Sequence, residues 1–295
     1  MYIDLSKLTD GFSSKFRVIS FFLAIIIINK LERKLYLYEK KTKDAPYLFT
    51  DFCLIKNFKI IKLKKKPNTK IKFTPYNYTE ELKKLKKIYA IDHKKNLNFN
   101  SLSQKLYKNF YPNRKIKEKI RKINLPSNFI GLHIRTTDRS LNVNNFISKI
   151  QFREMIFDFQ IKHMTNNVIN FLDKKFTKVN IFICSDSKFY RQKILEKFKG
   201  KSNIFTNNTS FKPQNFRQTN GLDFLTELFC LSKSKLIIST LGGAVPESAS
   251  LISKKKIRIY KWTNRINIFI FFKILILLIF YLKKTKTKLL NNFKF

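Results

Sequence analysis

An α/β fold is the prediction for this chain, with a doubly wound parallel sheet in its second half. Two observations carry it. From Asn128 onward, short apolar runs alternate with helix-length segments, the pattern of parallel strands joined by crossover helices. In addition, 295 residues that are 44% hydrophobic and 15% aromatic suffice for one large core or two domains of Rossmann size, and exclude a disordered chain.

In the first half, the polar segment Asp4–Arg17, containing Gly11, feeds an apolar helix Val18–Asn29, and Lys34–Tyr38 reads as a strand. A lysine-rich irregular region follows through about Thr74, then helical patterns at Glu80–Ile91 and Ile116–Ile123. Pro112 and Pro126 punctuate the approach to the second half. They divide the chain into an N-terminal domain over 1–125, a second domain over 126–262, and a hydrophobic then basic tail over 263–295. Asn128–Ile134 opens the second domain as a buried strand, followed by a helix within Asn144–Asp173 and the strand Val179–Cys184. Next come a helix Phe189–Phe198, a weak strand Asn203–Thr206 and a helix Gly221–Leu231. A strand Lys235–Ser239, a helix Ala244–Ser253 and a strand Ile257–Trp262 close it. Strands this continuously apolar imply helices on both faces of the sheet.

The formal charge of +42 has three readings. One is a compositional bias, since Lys, Asn, Ile and Phe abound throughout. Another is an anionic membrane surface as partner, where each basic side chain near the lipid adds roughly 1 kcal/mol. The third is nucleic acid, bound through its phosphates; the lysines are spread along the chain without an RNA- or DNA-binding signature, which makes this the weakest. Cys53, Cys184 and Cys230 lie far apart and read as buried thiols of a reducing compartment. His93, His133 and His163 form no ligand cluster, so no metal site is expected. Val18–Ile28 falls short of the about 20 residues that span a bilayer and reads as a buried helix. Ile266–Leu282 carries Asn267 and Lys273 and ends in the basic run Lys283–Lys288. A central charge costs about 3 kcal/mol in a span, so an interfacial or core-docked helix is favoured. The expected location is cytoplasmic, with peripheral attachment to the inner face of a membrane as the variant.

Three polar clusters fall at carboxyl ends of the expected strands, where parallel sheets bind ligands. The first is His133-Ile134-Arg135-Thr136-Thr137-Asp138-Arg139. Alternation puts His133 and Arg135 on one side, and the guanidinium fork of Arg135 suits a pyrophosphate. The second is Ser185-Asp186-Ser187, whose carboxylate can accept from a base or ribose. The third is Ser239-Thr240-Leu241-Gly242-Gly243-Ala244, where hydroxyls, backbone amides and a helix N-terminus favour an anion. Each has a plainer reading: His133 as a core histidine, Arg135 with Asp138 as a surface pair worth under about 1 kcal/mol, Asp186 and Thr240 as helix caps.

The segment Gly131–Arg139, GLHIRTTDR, resembles the HxRRxD-type motif of the fucosyltransferase superfamily, which includes α1,2-, α1,6- and protein O-fucosyltransferases. Asp10–Arg17, followed by an apolar helix, resembles that family's opening loop, and Asp223–Ala249 looks like its third motif. The resemblance implies a GT-B-like fold: two Rossmann-like domains with parallel sheets facing across a cleft, the donor nucleotide on the second. It implies transfer of fucose from GDP-fucose, with inversion, to a glycan acceptor, the nucleotide sugar being substrate rather than cofactor. Arg135 then matches the arginine on the donor diphosphate, Asp186 and Asp223 match acidic residues near the donor, and Thr240 matches a Ser/Thr beside the phosphates. His133, Ser239, Gly242 and Gly243 complete the expected donor set. Thr136 stands where several branches carry a second Arg, with Arg139 nearby, and Ser14 where an amide is common.

The sequence contains no DxD pair, so a metal-independent reaction is expected. Arg135, the amides near Gly242–Ala244 and the following helix would stabilise the leaving diphosphate. Asp138 and Glu247 are candidate bases, with Asp10 a third. Two alternatives stand beside this: a GT-B enzyme using another nucleotide sugar, and a basic membrane- or nucleic-acid-binding protein with a degenerate Rossmann domain. The enzyme reading expects Arg135, Asp186, Asp223, Thr240 and Gly243 to converge on one cleft.

Overall fold

Two parallel sheets, one in each half of the chain, organise the protein. The structure is a computed structural model that describes residues 1–6, 8, 12–41, 47–67, 78–88, 93–135, 163–176, 178–209, 220–240 and 244–261. In the first half, β1 (Tyr2–Asp4) leads through α1 (Phe12–Ile28) to β2 (Lys34–Tyr38). β3 (Cys53–Ile55) and β4 (Lys59–Lys62) follow. β1, β2 and β4 pair in parallel in that order. Helices α2 (Tyr78–Ile88) and α3 (His93–Lys105) precede β5 (Phe110–Pro112), which pairs antiparallel with β3. Helix α4 (Arg114–Ile123) ends the half, with Asn113 as its N-cap and left-handed Asn124 at its C-terminus.

The second half holds β6 (Ile130–Ile134), helical residues 163–175 (α5), β7 (Asn180–Ser185), α6 (Lys188–Lys197) and β8 (Asn203–Thr206). It continues with α7 (Gly221–Leu231), β9 (Leu236–Ser239), α8 (Ala244–Ile252) and β10 (Arg258–Lys261). Its five strands are parallel, in the order β10-β9-β6-β7-β8. Alternation sorts their side chains. Ile130, Leu132, Ile134, Ile181, Ile183 and Ile238 pack on the side of α5 and α6 with Val168, Leu172 and Ile194. Phe182, Cys184 and Ile237 turn to the side of α7 and α8 with Leu228 and Ala249. Burial on both faces explains why these strands are apolar at nearly every position. Gly131 lets α7 close on β6: a Cβ there would meet Leu231 Cδ2 at 2.6 Å.

The N-terminal half reaches the second sheet through the same core. Residues of α1, β2 and α4 share one apolar cluster with residues of α7 and α8, and Phe12 stacks between Tyr47 and Phe224 at 4.5 and 5.8 Å. Apolar nearly all round, α1 is buried along most of its length, as such a helix must be in a soluble core. Its Lys15 forms a buried ion pair with Glu39 at 3.1 Å. Glu39 also accepts from the N–H groups of Phe49 and Thr50 at 2.9 and 3.1 Å, so the charge is fully coordinated where α1 meets the end of β2.

The region read as irregular through Thr74 in fact holds β3 and β4, and β1, β5 and α3 add elements beyond those expected. Each of these strands is only three or four residues long, too short for alternation to declare itself. Residues 144–162 of the expected Asn144–Asp173 helix, and the apolar segment Ile266–Leu282 with the rest of the tail, lie outside the described residues. Among the described residues no helix is long and apolar enough to cross a membrane.

Candidate active site

The second sheet reverses its winding at β6: the chain moves outward to β7 and β8, then returns to the other side of β6 to lay down β9 and β10. At such a reversal the loops leaving the two flanking strands diverge to opposite faces and open a crevice at their carboxyl ends. The flanking strands are β6 and β9, which end in His133–Arg135 and Ser239–Thr240; β7, ending in Ser185–Asp186, lies next on the other side. Topology thus brings together three clusters far apart in sequence.

The register opposes His133 to Ser239, and His133 Nδ1 lies 3.3 Å from Ser239 Oγ, both residues buried. Above them the ladder continues beyond the strands. The Thr240 N–H donates to the His133 carbonyl at 3.2 Å, and the Arg135 N–H donates to Thr240 Oγ1 at 3.3 Å. A hydroxyl that accepts this bond can still donate its own proton. Thr240 is not a helix cap, because α8 begins four residues later. Arg135 is half-buried directly past the end of β6, on the same side as His133 by alternation.

At β7, Ser187 rather than Asp186 caps α6, accepting from the Tyr190 N–H. Ser185 Oγ accepts from the Ser187 N–H at 3.1 Å and closes the turn. Asp186 is left half-buried between these serines at the sheet edge.

Asp223 sits deeper. It follows the N-cap Asn220 in the first turn of α7 and is 1% exposed. Its carboxylate accepts from Asn220 Nδ2 at 2.7 Å, from Asn207 Nδ2 at 3.1 Å and from the ammonium of Lys119 on α4. These donors commit it to joining α4, α7 and the end of β8. Glu247 lies in the first turn of α8, half-exposed, and pairs with Lys261 at 2.7 Å. Asp138, Gly242, Gly243 and Asp10 lie outside the described residues, as do Thr136 and Arg139. Among the described residues no group of three or more His, Cys, Asp and Glu side chains could hold a metal ion.

Sequence reasoning missed a buried network under this edge. Arg191 of α6 donates to Glu227 of α7 at 2.6 Å, to the Ser185 carbonyl at 2.8 Å and to the Asn207 carbonyl at 2.6 Å. It also reaches the hydroxyls of Thr206 and Thr209, each at 3.0 Å. Glu227 accepts in addition from Cys184 Sγ at 3.1 Å. Burial pushes the Glu227 carboxyl above its ordinary value, against the opposing pull of Arg191; burial also raises the Cys184 thiol well above its ordinary value. The network fixes the ends of β7 and β8 relative to each other. Its signal in the sequence is an acid inside the apolar run Leu225–Leu231, where a charge needs a buried partner.

No family model matches the sequence, and no curated protein does. Solved structures do. The selenomethionine form of fucosyltransferase NodZ from Bradyrhizobium matches with a TM-score of 0.52 at 12% identity, over 85% of this chain and 92% of that one. NodZ alpha-1,6-fucosyltransferase soaked with GDP-fucose matches with a TM-score of 0.51 at 13% identity, again over 85% and 92%. POFUT1 in complex with GDP-fucose is matched at a TM-score of 0.35 and 12% identity, over 55% of this chain and 50% of that chain, so this chain spans half the length of that relative. Over most of its length the chain is structurally similar to the NodZ fucosyltransferase, and its α/β architecture with parallel sheets is a fucosyltransferase-like GT-B fold.

Proposed function

We propose that this chain is a metal-independent, inverting glycosyltransferase that transfers fucose from GDP-fucose to a glycan acceptor. The observation that supports it most is the position of Arg135 and Thr240 at the reversal point of the second sheet, in a fold similar to that of a fucosyltransferase soaked with GDP-fucose. In this reading residues 126–262 carry the donor and 1–125 the acceptor side. The Arg135 guanidinium donates a bidentate pair to the diphosphate, and Thr240 adds its hydroxyl proton. Backbone amides of residues 241–243, Gly242 and Gly243 among them, and the N-terminus of α8 supply further partial positive charge.

These groups take up negative charge as the sugar–phosphate bond breaks, the work a divalent ion does elsewhere. The acceptor hydroxyl attacks from the opposite face, which inverts the anomeric carbon, and gives its proton to a carboxylate, Glu247 or Asp138. Asp186 accepts from the ribose or base. Ser239 and His133 brace each other beneath, and Asp223 holds α7 against α4.

A thermal-shift panel of nucleotides and nucleotide sugars in EDTA, followed by a transfer assay, tests the proposal. GDP and GDP-fucose should raise Tm more than the other compounds, and fucose should leave GDP-fucose with chelator present. A larger shift from another nucleotide sugar would move the donor within the same fold. No shift from any of them, with salt-sensitive binding to RNA or anionic vesicles, would replace the enzyme with a basic binding protein.

A further inference from the structure

The groups gathered at the carboxyl ends of β6, β7 and β9 are a guanidinium, an imidazole, hydroxyls and a carboxylate: Arg135, His133, Ser239, Thr240 and Asp186. None of them offers an apolar surface, whereas a nucleobase has two flat faces that aromatic side chains cover. Phe189 offers such a surface at the same edge. It is the second residue of α6, two past the cap Ser187 and three past Asp186, and so stands at the carboxyl end of β7. Its ring is 65% exposed, the highest value among the large hydrophobic side chains described, and among the described residues no other phenylalanine is exposed. Singly exposed apolar residues are ordinary on protein surfaces. What sets this one apart is its place at the end of a parallel sheet where ligands bind.

The ring also stands on a firm footing. Tyr190, itself buried, meets it in a T-shaped contact with centroids 5.1 Å apart. Ser187 fixes the first turn of α6 by accepting from the Tyr190 N–H. Two residues beyond Phe189, Arg191 ties the helix to the Ser185 carbonyl at 2.8 Å and to Glu227 at 2.6 Å. A surface held in place before its ligand arrives gives up little freedom on binding.

We propose that Phe189 is the platform on which the base of the donor nucleotide stacks. This rests on the donor reading above and assigns the half of the nucleotide that Arg135 and Thr240 do not hold. Stacking covers an aromatic ring that water otherwise surrounds, and it leaves the polar edge of the base facing the turn at Asp186.

Titration calorimetry on the full chain tests it, with GDP and with inorganic pyrophosphate, which lacks the base, as probes. Phe189→Ala should weaken GDP binding about 5- to 150-fold, the contribution of one base–aromatic stack. Pyrophosphate binding should be unchanged in that variant, which also reports that it is folded. Phe189→Trp should keep the GDP affinity of the wild type or raise it. GDP should also quench the fluorescence of the added indole, beyond any change in the wild type, whose one tryptophan is Trp262. If GDP binds the wild type and Phe189→Ala alike, if pyrophosphate is weakened as much as GDP, or if the added indole does not respond, the stacking assignment is overturned and the donor reading stands. If GDP fails to bind the wild type at all, the donor reading falls and the assignment falls with it.

Discussion

Replacing Arg191 with Met leaves Glu227 as a carboxylate 2% exposed with no cation paired to it among the described residues. Stripping one partner from a buried ion pair costs about 3–5 kcal/mol, and Glu227→Met should cost a similar amount by stranding the guanidinium. The double variant removes both charges together. It still leaves the carbonyls of Ser185 and Asn207 without the donors Arg191 supplied, at about 1–3 kcal/mol each. A loss of about 2–6 kcal/mol is therefore expected for the double, against about 6–10 for the single changes combined. Urea unfolding followed by circular dichroism gives all four stabilities. The pH dependence adds a second check. Burial already pushes Glu227 up, and without Arg191 the folded state holds a proton that the unfolded chain releases. Stability of Arg191→Met should then rise as pH falls from 7 toward the ordinary glutamate value of about 4.3, more steeply than for the wild type. Single effects that add within about 0.5 kcal/mol would show that the two charges are not coupled, and the reasoning would fail.

Gly221→Ala should destabilise the protein by about 1–3 kcal/mol, the usual range for overpacking: its Cβ would fall 2.5 Å from the Tyr47 ring, where the start of α7 meets the N-terminal half. A thermal melt checks this, and an unchanged Tm would argue against the tight approach. The three thiols should resist alkylation in the folded protein, because burial raises Cys53 and Cys184 well above the usual thiol range and Cys230 to about 12. At pH 8 a thiol of that value is thiolate in only about one molecule in ten thousand. Iodoacetamide labelling read by mass spectrometry should find none before denaturant is added, and rapid native labelling would contradict the burial.

Much of the second half was legible because its strands are buried on both faces and its helices are long. Ile130–Ile134, Asn180–Ser185 and Gly221–Leu231 all stand close to their expected bounds. Short elements were not. β4 reads Lys-Ile-Ile-Lys, with lysines at both ends, and α3 is polar along much of its length, so that docking of Phe99 into the core, rather than pattern, decides its place. The expected boundary near Pro126 separates the two sheets in sequence, but the core crosses it, as the Phe12–Phe224 stack shows. Apolar residues announce that they will be buried, not which half of the chain will bury them. The same division holds at the site. His133, Arg135, Ser239 and Thr240 stand out as candidates because they are polar residues at, or directly past, the ends of buried strands. The Arg191–Glu227 pair, 36 residues apart, and the engagement of Asp223 by Lys119 from α4, depend on which helices meet, and no local pattern records that.

The proposed function requires that Arg135, placed at the reversal of the second sheet with its N–H on Thr240 Oγ1, bind the diphosphate of a guanine nucleotide without a metal. Titration calorimetry of GDP into the wild type and into Arg135→Ala, both in EDTA, tests it most directly. One GDP should bind per chain, and the variant should bind about 10- to 150-fold more weakly, the loss expected for hydrogen bonds from a charged donor worth about 1.5–3 kcal/mol. Equal GDP affinity in the two proteins, or binding that requires added divalent ion, would contradict it.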